Sequence, residues 1–269
     1  MTTRIAHLSD LHFGRTDQAQ LDSLAQTLAD DGTEHVIVTG DLTQEGRKRE
    51  FEAAGRWLRA LPMRVTAIPG NHDAPVRNPY RRFRDPWGRY ERHTRLEAEP
   101  IHEGPGYVFA GANSARRIRP GLDWSTGAVT KRQIARIVRA FEARPDRVKM
   151  VGLHHPVRAI ETAARAGRAV VSGADHAIDR LADARVDVLM TGHVHLARVS
   201  LVTDRGWSFV MSQAGTAVST RLRGEAASYN VLTVGGNALS VEVRRWAGEA
   251  FATERTARYL RGGAGWAEA

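Results

Sequence analysis

Through its first two thirds the chain alternates short apolar, β-branched runs with stretches whose apolar residues recur at helical spacing. No other feature restricts the fold as much. RIAHLS (4–9), HVIVT (35–39), RVTAI (64–68), YVFAGAN (107–113), VKMVGL (148–153) and VDVLM (186–190) read as strands. Between them, three helix faces carry apolar residues one turn apart: Leu21, Leu24, Ala25 and Leu28; Phe51, Ala54, Leu58 and Leu61; Ile134, Ile137, Val138 and Phe141. Thr130 and Gln133 stand at capping-box spacing before the third, and a fourth helix is expected near Ile178 and Leu181. From about residue 197 only strands follow: ARVSLVT, WSFVMS, YNVLTV and ALSVEVRRW. Residues 246–269, rich in Gly, Ala and charge, carry no core pattern and are expected as a tail.

This order predicts a layered α/β protein, with one mainly parallel sheet and a second sheet supplied largely by the C-terminal third. No repeat or low-complexity linker divides the chain. Residues 1–245 are therefore expected as one domain, with an Arg-rich insertion at about 76–106 and a β-rich part at about 197–245. In open α/β sheets ligands gather beyond the carboxyl ends of strands, so the residues just past each strand carry the functional information.

Asp10 and His12 follow the first strand, Gly40 and Asp41 the second, and Gly70, Asn71, His72 and Asp73 the third. His154 and His155 follow VKMVGL; Gly192, His193 and His195 follow VDVLM. Six of the eleven histidines fall in these loops, which points to a shared binding site rather than to scattered turns. Imidazole, carboxylate and amide oxygen without thiolate suit borderline divalent metals such as Mn, Fe, Co, Ni or Zn. The donors are too many for one tetrahedral zinc. Seven donors with one shared carboxylate fit two metals roughly 3.5–4 Å apart, the arrangement used for displacement at phosphorus. The alternation in Asp10-Leu11-His12 and His193-Val194-His195 is expected to be extended backbone that turns both donors of each pair to one cavity. Gly40, Gly70 and Gly192 are expected to permit sharp turning and close approach.

Charge narrows the ligand. The net +9 favours anionic partners, and residues 76–119 supply ten Arg against Asp85 and four Glu. Arg15 and arginines between 77 and 95 are candidates to hold an anion. No apolar stretch is long enough to span a bilayer. The start runs straight into a strand, leaving no room for a signal peptide, and the absence of cysteine excludes disulfides and is compatible with a cytoplasmic location.

The blocks D-x-H, G-D, G-N-H-D, H-H-P and G-H-x-H, in that order over residues 8–195, resemble the calcineurin-like metallophosphoesterases. Within that family the chain is most similar to the class III cyclic-nucleotide phosphodiesterases and related glycerophosphodiesterases, in which HHP and GNHD occur together. Its β-rich remainder is similar to the end of the single-domain bacterial members. The resemblance implies a four-layer α-β-β-α sandwich of two packed mixed sheets with helices outside. It also implies that Asp10, His12, Asp41 and His195 hold a first metal, and that Asp41 bridges to a second completed by Asn71, His154 and His193. These would be two divalent ions of Mn, Fe, Zn or Co type. His72 would be the catalytic general acid or hydrogen-bond donor, and Asp73 would orient it. His155 is expected to support His154 or line the pocket rather than bind metal.

GDLTQEG and GNHD depart from the Ser/Thr protein phosphatases, which place Arg shortly after the GD block and read G-N-H-E. His72 departs from the lipid A pathway pyrophosphatases, which carry Arg there. The length leaves little room for the capping domain of recombination nucleases. The expected activity is hydrolysis of a small anionic phosphodiester, such as a cyclic nucleotide or glycerophosphodiester, by metal-activated hydroxide. The alternatives are a nuclease on short or single-stranded nucleic acid and a non-catalytic scaffold of the same fold; a homodimer stays open.

Overall fold

The structure, a computed structural model, describes residues 2–76, 78–117, 125–159, 170–221 and 224–269. Arg77 and Arg119 of the Arg-rich stretch lie outside them. The three leading strands, β1 (Thr3–Leu8), β2 (His35–Thr39) and β3 (Arg64–Ile68), run parallel in the order β3-β2-β1. Helices α1 (Gln18–Asp30) and α2 (Lys48–Ala60) make the crossovers that parallel strands need. The Asp17 carboxylate caps α1 by accepting Gln20 N–H at 3.0 Å. Glu50 reaches back from α2 to accept Arg47 N–H at 3.2 Å and Glu45 N–H at 2.8 Å. A single 3-10 turn covers Asn71–Asp73.

The Arg-rich stretch forms α3 (Pro79–Arg84) and α4 (Gly88–Thr94) and leads to β4 (Ile101–Gly104), which pairs antiparallel with β5 (Tyr107–Gly111). Strands β5, β6 (Val148–Gly152), β7 (Val188–Thr191) and β9 (Trp207–Gln213) are parallel, and β8 (Arg198–Asp204) closes that edge antiparallel to β9. Helix α5 (Lys131–Glu142) begins with the expected capping box: Thr130 Oγ1 accepts Gln133 N–H at 3.2 Å, and Gln133 Oε1 accepts Thr130 N–H at 2.9 Å. Helix α6 (Ala174–Asp183) precedes β7.

The C-terminal third adds β10 (Ser228–Gly235) antiparallel to β1, then β11 (Ala238–Trp246), β12 (Phe251–Gly262) and β13 (Gly265–Glu268) as a meander. The result is a β-rich mixed α/β fold. Among the described residues, twelve strands follow one hydrogen-bonded path, with β8 joined to β9 beside it, rather than two separate sheets, because β13 meets β9 through the single pair Gly265–Ser208.

Three apolar clusters fill the interior. One joins α1 and α2 to β1 and β2, through residues such as Leu24, Phe51, Leu8 and Val38. Another joins α5 and α6 to β5, β6 and β7, through Ile137, Leu181, Val108 and Leu189. The third joins the two groups of strands: Ile5, Ile37, Leu232 and Val241 meet Phe109, Met150, Val188 and Val210.

Residues 246–269, expected as a tail, are instead mostly β12 and β13. Trp266 is 2 % exposed, and its indole N–H donates to Asp187 Oδ1 at 2.9 Å. The pattern is faint in sequence because most of β12 faces solvent; only Phe251 and Tyr259 on that strand are buried. Among the described residues no helix is long and apolar enough to cross a membrane.

Candidate metal centre

The five donor-bearing loops open at one end of the strands and converge. Asp10 and His12 come from the loop after β1, Asp41 from that after β2, Asn71, His72 and Asp73 from that after β3, His154 and His155 from that after β6, and His193 and His195 from that after β7. Asp10, His12, Asp41, Asp73, His154, His155 and His195 are all buried, while Asn71, His72 and His193 are half-buried.

The backbone reaches this arrangement differently from the sequence expectation. Asp10, His12, Asp41, His193 and His195 all have positive φ, between 48° and 73°, so the D-x-H and H-x-H segments are left-handed turns, not extended chain. Non-glycine residues rarely adopt that region, and such strain collects at functional sites. The expectation of close approach holds at Gly40, Gly70 and Gly192, the last against Ser9 Oγ. A Cβ at Gly40 would stand on the His154 ring, and one at Gly70 on the Asp41 carboxylate.

Each ligand-type carboxylate has one oxygen fixed and one aimed inward. Asp10 Oδ2 accepts Ser9 Oγ–H at 2.6 Å and His193 N–H at 2.8 Å, whereas Asp10 Oδ1 is buried without a hydrogen-bond partner. Asp41 Oδ1 accepts His72 N–H at 2.8 Å, and Oδ2 faces the cluster, 3.5 Å from His154 Nε2 and 3.9 Å from His12 Nε2. The imidazoles are set the same way. His154 Nδ1–H donates to Thr39 C=O at 2.7 Å, which turns Nε2 to Asn71 Oδ1 at 3.2 Å. His195 Nδ1–H donates to Arg221 C=O at 3.0 Å, which turns Nε2 to Asp10 Oδ1 at 3.1 Å and His12 Nε2 at 3.3 Å. Ring nitrogens backed by carbonyl acceptors are the usual support for histidine ligands.

Two donor groups result, Asp10–His12–His195 and Asp10–Asp41–His154, with ligand atoms within 4.8 Å of one another in each. His193 lies beside the second group, its ring 5.1 Å from that of His154. A third cluster, His154–His155–His193, includes His155. Both His155 nitrogens are engaged, at 2.8 Å with Ser114 Oγ and 2.9 Å with Ser125 C=O, so that ring packs and supports rather than offering a free donor.

The electrostatics favour cations. Burial disfavours ionisation of Asp10, but the neighbouring His195 and His12 rings beside Oδ1 hold its carboxyl well below the usual range. Asp41 is likewise held down against burial, chiefly by His154 and His72. Burial works against a charged His154 ring, yet Asp41 outweighs it and the pKa is pushed up to about 9. A proton there takes up positive charge that the carboxylates attract, which is the field a metal ion would neutralise.

His72 stands next to the first group, its ring 5.0 Å from His12 in an edge-on arrangement. Its Nδ1–H donates to Gln44 C=O at 2.7 Å, and Nε2 accepts from Arg221 Nη1 at 2.9 Å. The expectation that Asp73 orients this ring is corrected. The Asp73 carboxylate instead accepts Leu42 N–H (3.1 Å), Thr43 N–H (2.9 Å), Thr43 Oγ1–H (2.9 Å) and Gly70 N–H (2.9 Å), pinning the loops after β2 and β3 together. Burial and the Asp41 charge raise its pKa to about 7.

Arg15 is exposed and contributes main chain: its carbonyl accepts Thr220 N–H at 2.9 Å. Arg82 is buried and donates to the carbonyls of Arg117 at 3.0 Å and Arg116 at 3.2 Å, while Arg89 donates to Gly46 C=O at 2.8 Å. These two arginines hold loops. Sequence reasoning missed Ser9, Gln44 and Arg221; Ser9 and Gln44 adjoin the motifs, but Arg221 has no motif to mark it.

Comparison with known proteins bears on family and fold. The sequence model of the calcineurin-like phosphoesterase family matches residues 3–197. A probable cyclic nucleotide phosphodiesterase of Synechococcus sp. is 31% identical over 86 residues, covering 29% of this chain and 34% of that protein, so the match spans about a third of the curated relative. Among solved structures, PhoD superposes with a TM-score of 0.73 at 11% identity, covering 99% of this chain and 71% of that one. A dimetal phosphatase from Danio rerio gives 0.66 at 11% identity, covering 94% and 99%. GAP50, the anchor in the inner membrane complex of Plasmodium, gives 0.63 at 10% identity, covering 95% and 87%. At these identities the likeness is one of fold.

Proposed function

The chain belongs to the calcineurin-like phosphoesterase family, and from that premise we propose that it is a dinuclear-metal phosphodiesterase acting on a small anionic diester such as a cyclic nucleotide or glycerophosphodiester. One observation carries the reading: Asp41 Oδ2 faces a ring nitrogen from each donor group, His12 Nε2 at 3.9 Å and His154 Nε2 at 3.5 Å, while its Oδ1 is held by His72 N–H. The partial relative named as a phosphodiesterase supports the diester preference. Asp10, His12, Asp41 and His195 would hold one ion, and Asp41, Asn71, His154 and His193 the other, each of Mn, Fe, Zn or Co type. Bound there, two divalent ions supply charge neutralisation at the phosphoryl group and lower the pKa of water.

The chain's own residues do the rest. With Nδ1–H committed to Gln44, His72 would offer Nε2, which here accepts from Arg221, to the phosphoryl group. Once protonated at Nε2, the ring donates to the departing ester oxygen. Asp73 keeps the Asp41 and Asn71 loops in register, and Thr39 and Arg221 carbonyls hold the ligand tautomers. In this reading the three apolar clusters would be the two helix–sheet interfaces and the interface between the two groups of strands in a four-layer sandwich.

The test is metal content and hydrolysis of bis(4-nitrophenyl) phosphate with Mn²⁺. Asp41→Ala should bind fewer than two ions, and both Asp41→Ala and His72→Ala should lose at least about a hundredfold in kcat. Undiminished activity in both variants would refute the site. A steep salt dependence on oligonucleotide substrates would favour the nuclease reading. Full metal loading without hydrolysis of any ester would favour a scaffold.

A further inference from the structure

Arg221 lies between β9 and β10, in a segment that supplies none of the donors named above. Its loop is laced onto the segment that follows Asp10 and His12. Ala217 N–H donates to Ser9 C=O at 3.3 Å, Asp17 N–H to Val218 C=O at 2.8 Å, and Thr220 N–H to Arg15 C=O at 2.9 Å. Ser219 Oγ–H donates to the same Arg15 carbonyl at 3.1 Å, while Arg221 N–H donates to Ser219 Oγ at 3.1 Å. The main chain of Arg221 is therefore fixed at the rim of the metal centre, where its carbonyl holds the His195 tautomer.

The side chain then runs to a chemically weak partner. Guanidinium carries five N–H donors and no acceptor, and its strong partners are oxyanions, which it can grip in bidentate fashion. Here Nη1 donates to the neutral ring nitrogen of His72 at 2.9 Å, and among the described residues the side chain has no carboxylate partner. A half-buried cation at the mouth of a phosphoester site, resting on the one ring that faces the leaving group, has the chemistry of an anion receptor.

We propose that Arg221 binds the substrate's phosphoryl group: a non-bridging phosphoryl oxygen displaces His72 Nε2 as its acceptor, and the freed imidazole edge turns to the leaving oxygen. This rests on the phosphoesterase reading above and adds to it the residue that recognises the anion. Any residue at 221 retains the carbonyl that supports His195, so side-chain substitution isolates the guanidinium.

Calorimetric titration of inorganic phosphate into Mn²⁺-loaded parent, Arg221→Met and Arg221→Lys proteins tests the proposal, beside metal content and kcat and KM on bis(4-nitrophenyl) phosphate. Loss of a hydrogen bond to a charged group predicts a phosphate Kd raised about tenfold to a hundredfold in Arg221→Met. KM should rise with it, metal content should stay at the parent level, and Arg221→Lys should recover part of the affinity. Phosphate binding by Arg221→Met equal to the parent overturns the proposal, as does a fall in kcat with phosphate affinity unchanged, the signature of a prop for His72. Arg221-dependent phosphate binding by a protein that hydrolyses no ester would leave this assignment standing and remove the phosphodiesterase one.

Discussion

Replacing Trp266 by alanine tests whether the C-terminal hairpin is part of the core. The indole is 2 % exposed and packs in the cluster shared by the two groups of strands. Burying a side chain of that size removes roughly 200 Å² from water, worth about 5 kcal/mol at ~25 cal/mol per Å². Trp→Ala changes in cores cost about 3–5 kcal/mol once the site relaxes. The lost N–H bond to Asp187 adds on the order of 1 kcal/mol, since Arg261 Nε, 3.3 Å away, stays beside that carboxylate. A total of about 5 kcal/mol, at ~2–4 °C per kcal/mol for a chain of this size, lowers Tm by about 10–20 °C. Trp266→Phe keeps most of the packing and loses the N–H, so it should fall by only about a quarter as much. Thermal denaturation followed by circular dichroism reads both. A Tm for Trp266→Ala within about 3 °C of the parent would mean that β13 contributes no core, and the account of the hairpin would be wrong.

Three further outcomes follow from the site and its surroundings. Ser9→Ala removes the O–H donated to Asp10 Oδ2 and should weaken Mn²⁺ binding about tenfold to a hundredfold in a chelator competition, whereas unchanged affinity would strip Ser9 of a supporting role. Because His154 must lose its proton to ligate and its pKa is pushed up to about 9, metal affinity should fall on acidification. The fall should be about tenfold per pH unit per proton displaced, measurable between pH 8.5 and 6.5, and a flat profile would contradict the assignment. Burial holds His7 and His35 down to about 3, below the ~6.5 of an unfolded chain. Their stabilising contribution is therefore full above pH ~6.5 and is lost as pH falls toward 3, at about 2 kcal/mol each by pH 5. Urea denaturation at pH 7.5 and pH 5 should show His35→Gln losing about 2 kcal/mol less than the parent, and equal losses would count against a neutral buried ring.

The strand–helix alternation made the first two thirds readable, because buried parallel strands write themselves as apolar runs and their crossover helices as amphipathic ones. The donors were readable for a related reason: they sit directly past those runs. What sequence could not give was set by tertiary geometry. Strand β12 hides its pairing because its side chains mostly face water. Asp10-Leu11-His12 looks like extended chain, and only the folded backbone reveals φ of 53° and 48° at its two donors. Asp73 neighbours His72 in sequence, but successive residues of a tight turn point different ways, so its carboxylate meets Leu42, Thr43 and Gly70 instead. Arg221 reaches His72 from 149 residues away, a proximity no local pattern encodes.

The Gly265–Ser208 pair, the one strand pairing that joins β13 to β9, divides the donors as well as the strands. Asp10, His12, Asp41 and Asn71 stand on one flank of that seam, and His154, His193 and His195 on the other. An ion bound as proposed would draw on both flanks and so would stabilise the folded chain against their parting, as a rivet does. The hairpin carrying Trp266 fastens the same two flanks by apolar contact, which makes cation and hairpin partners in one mechanical job.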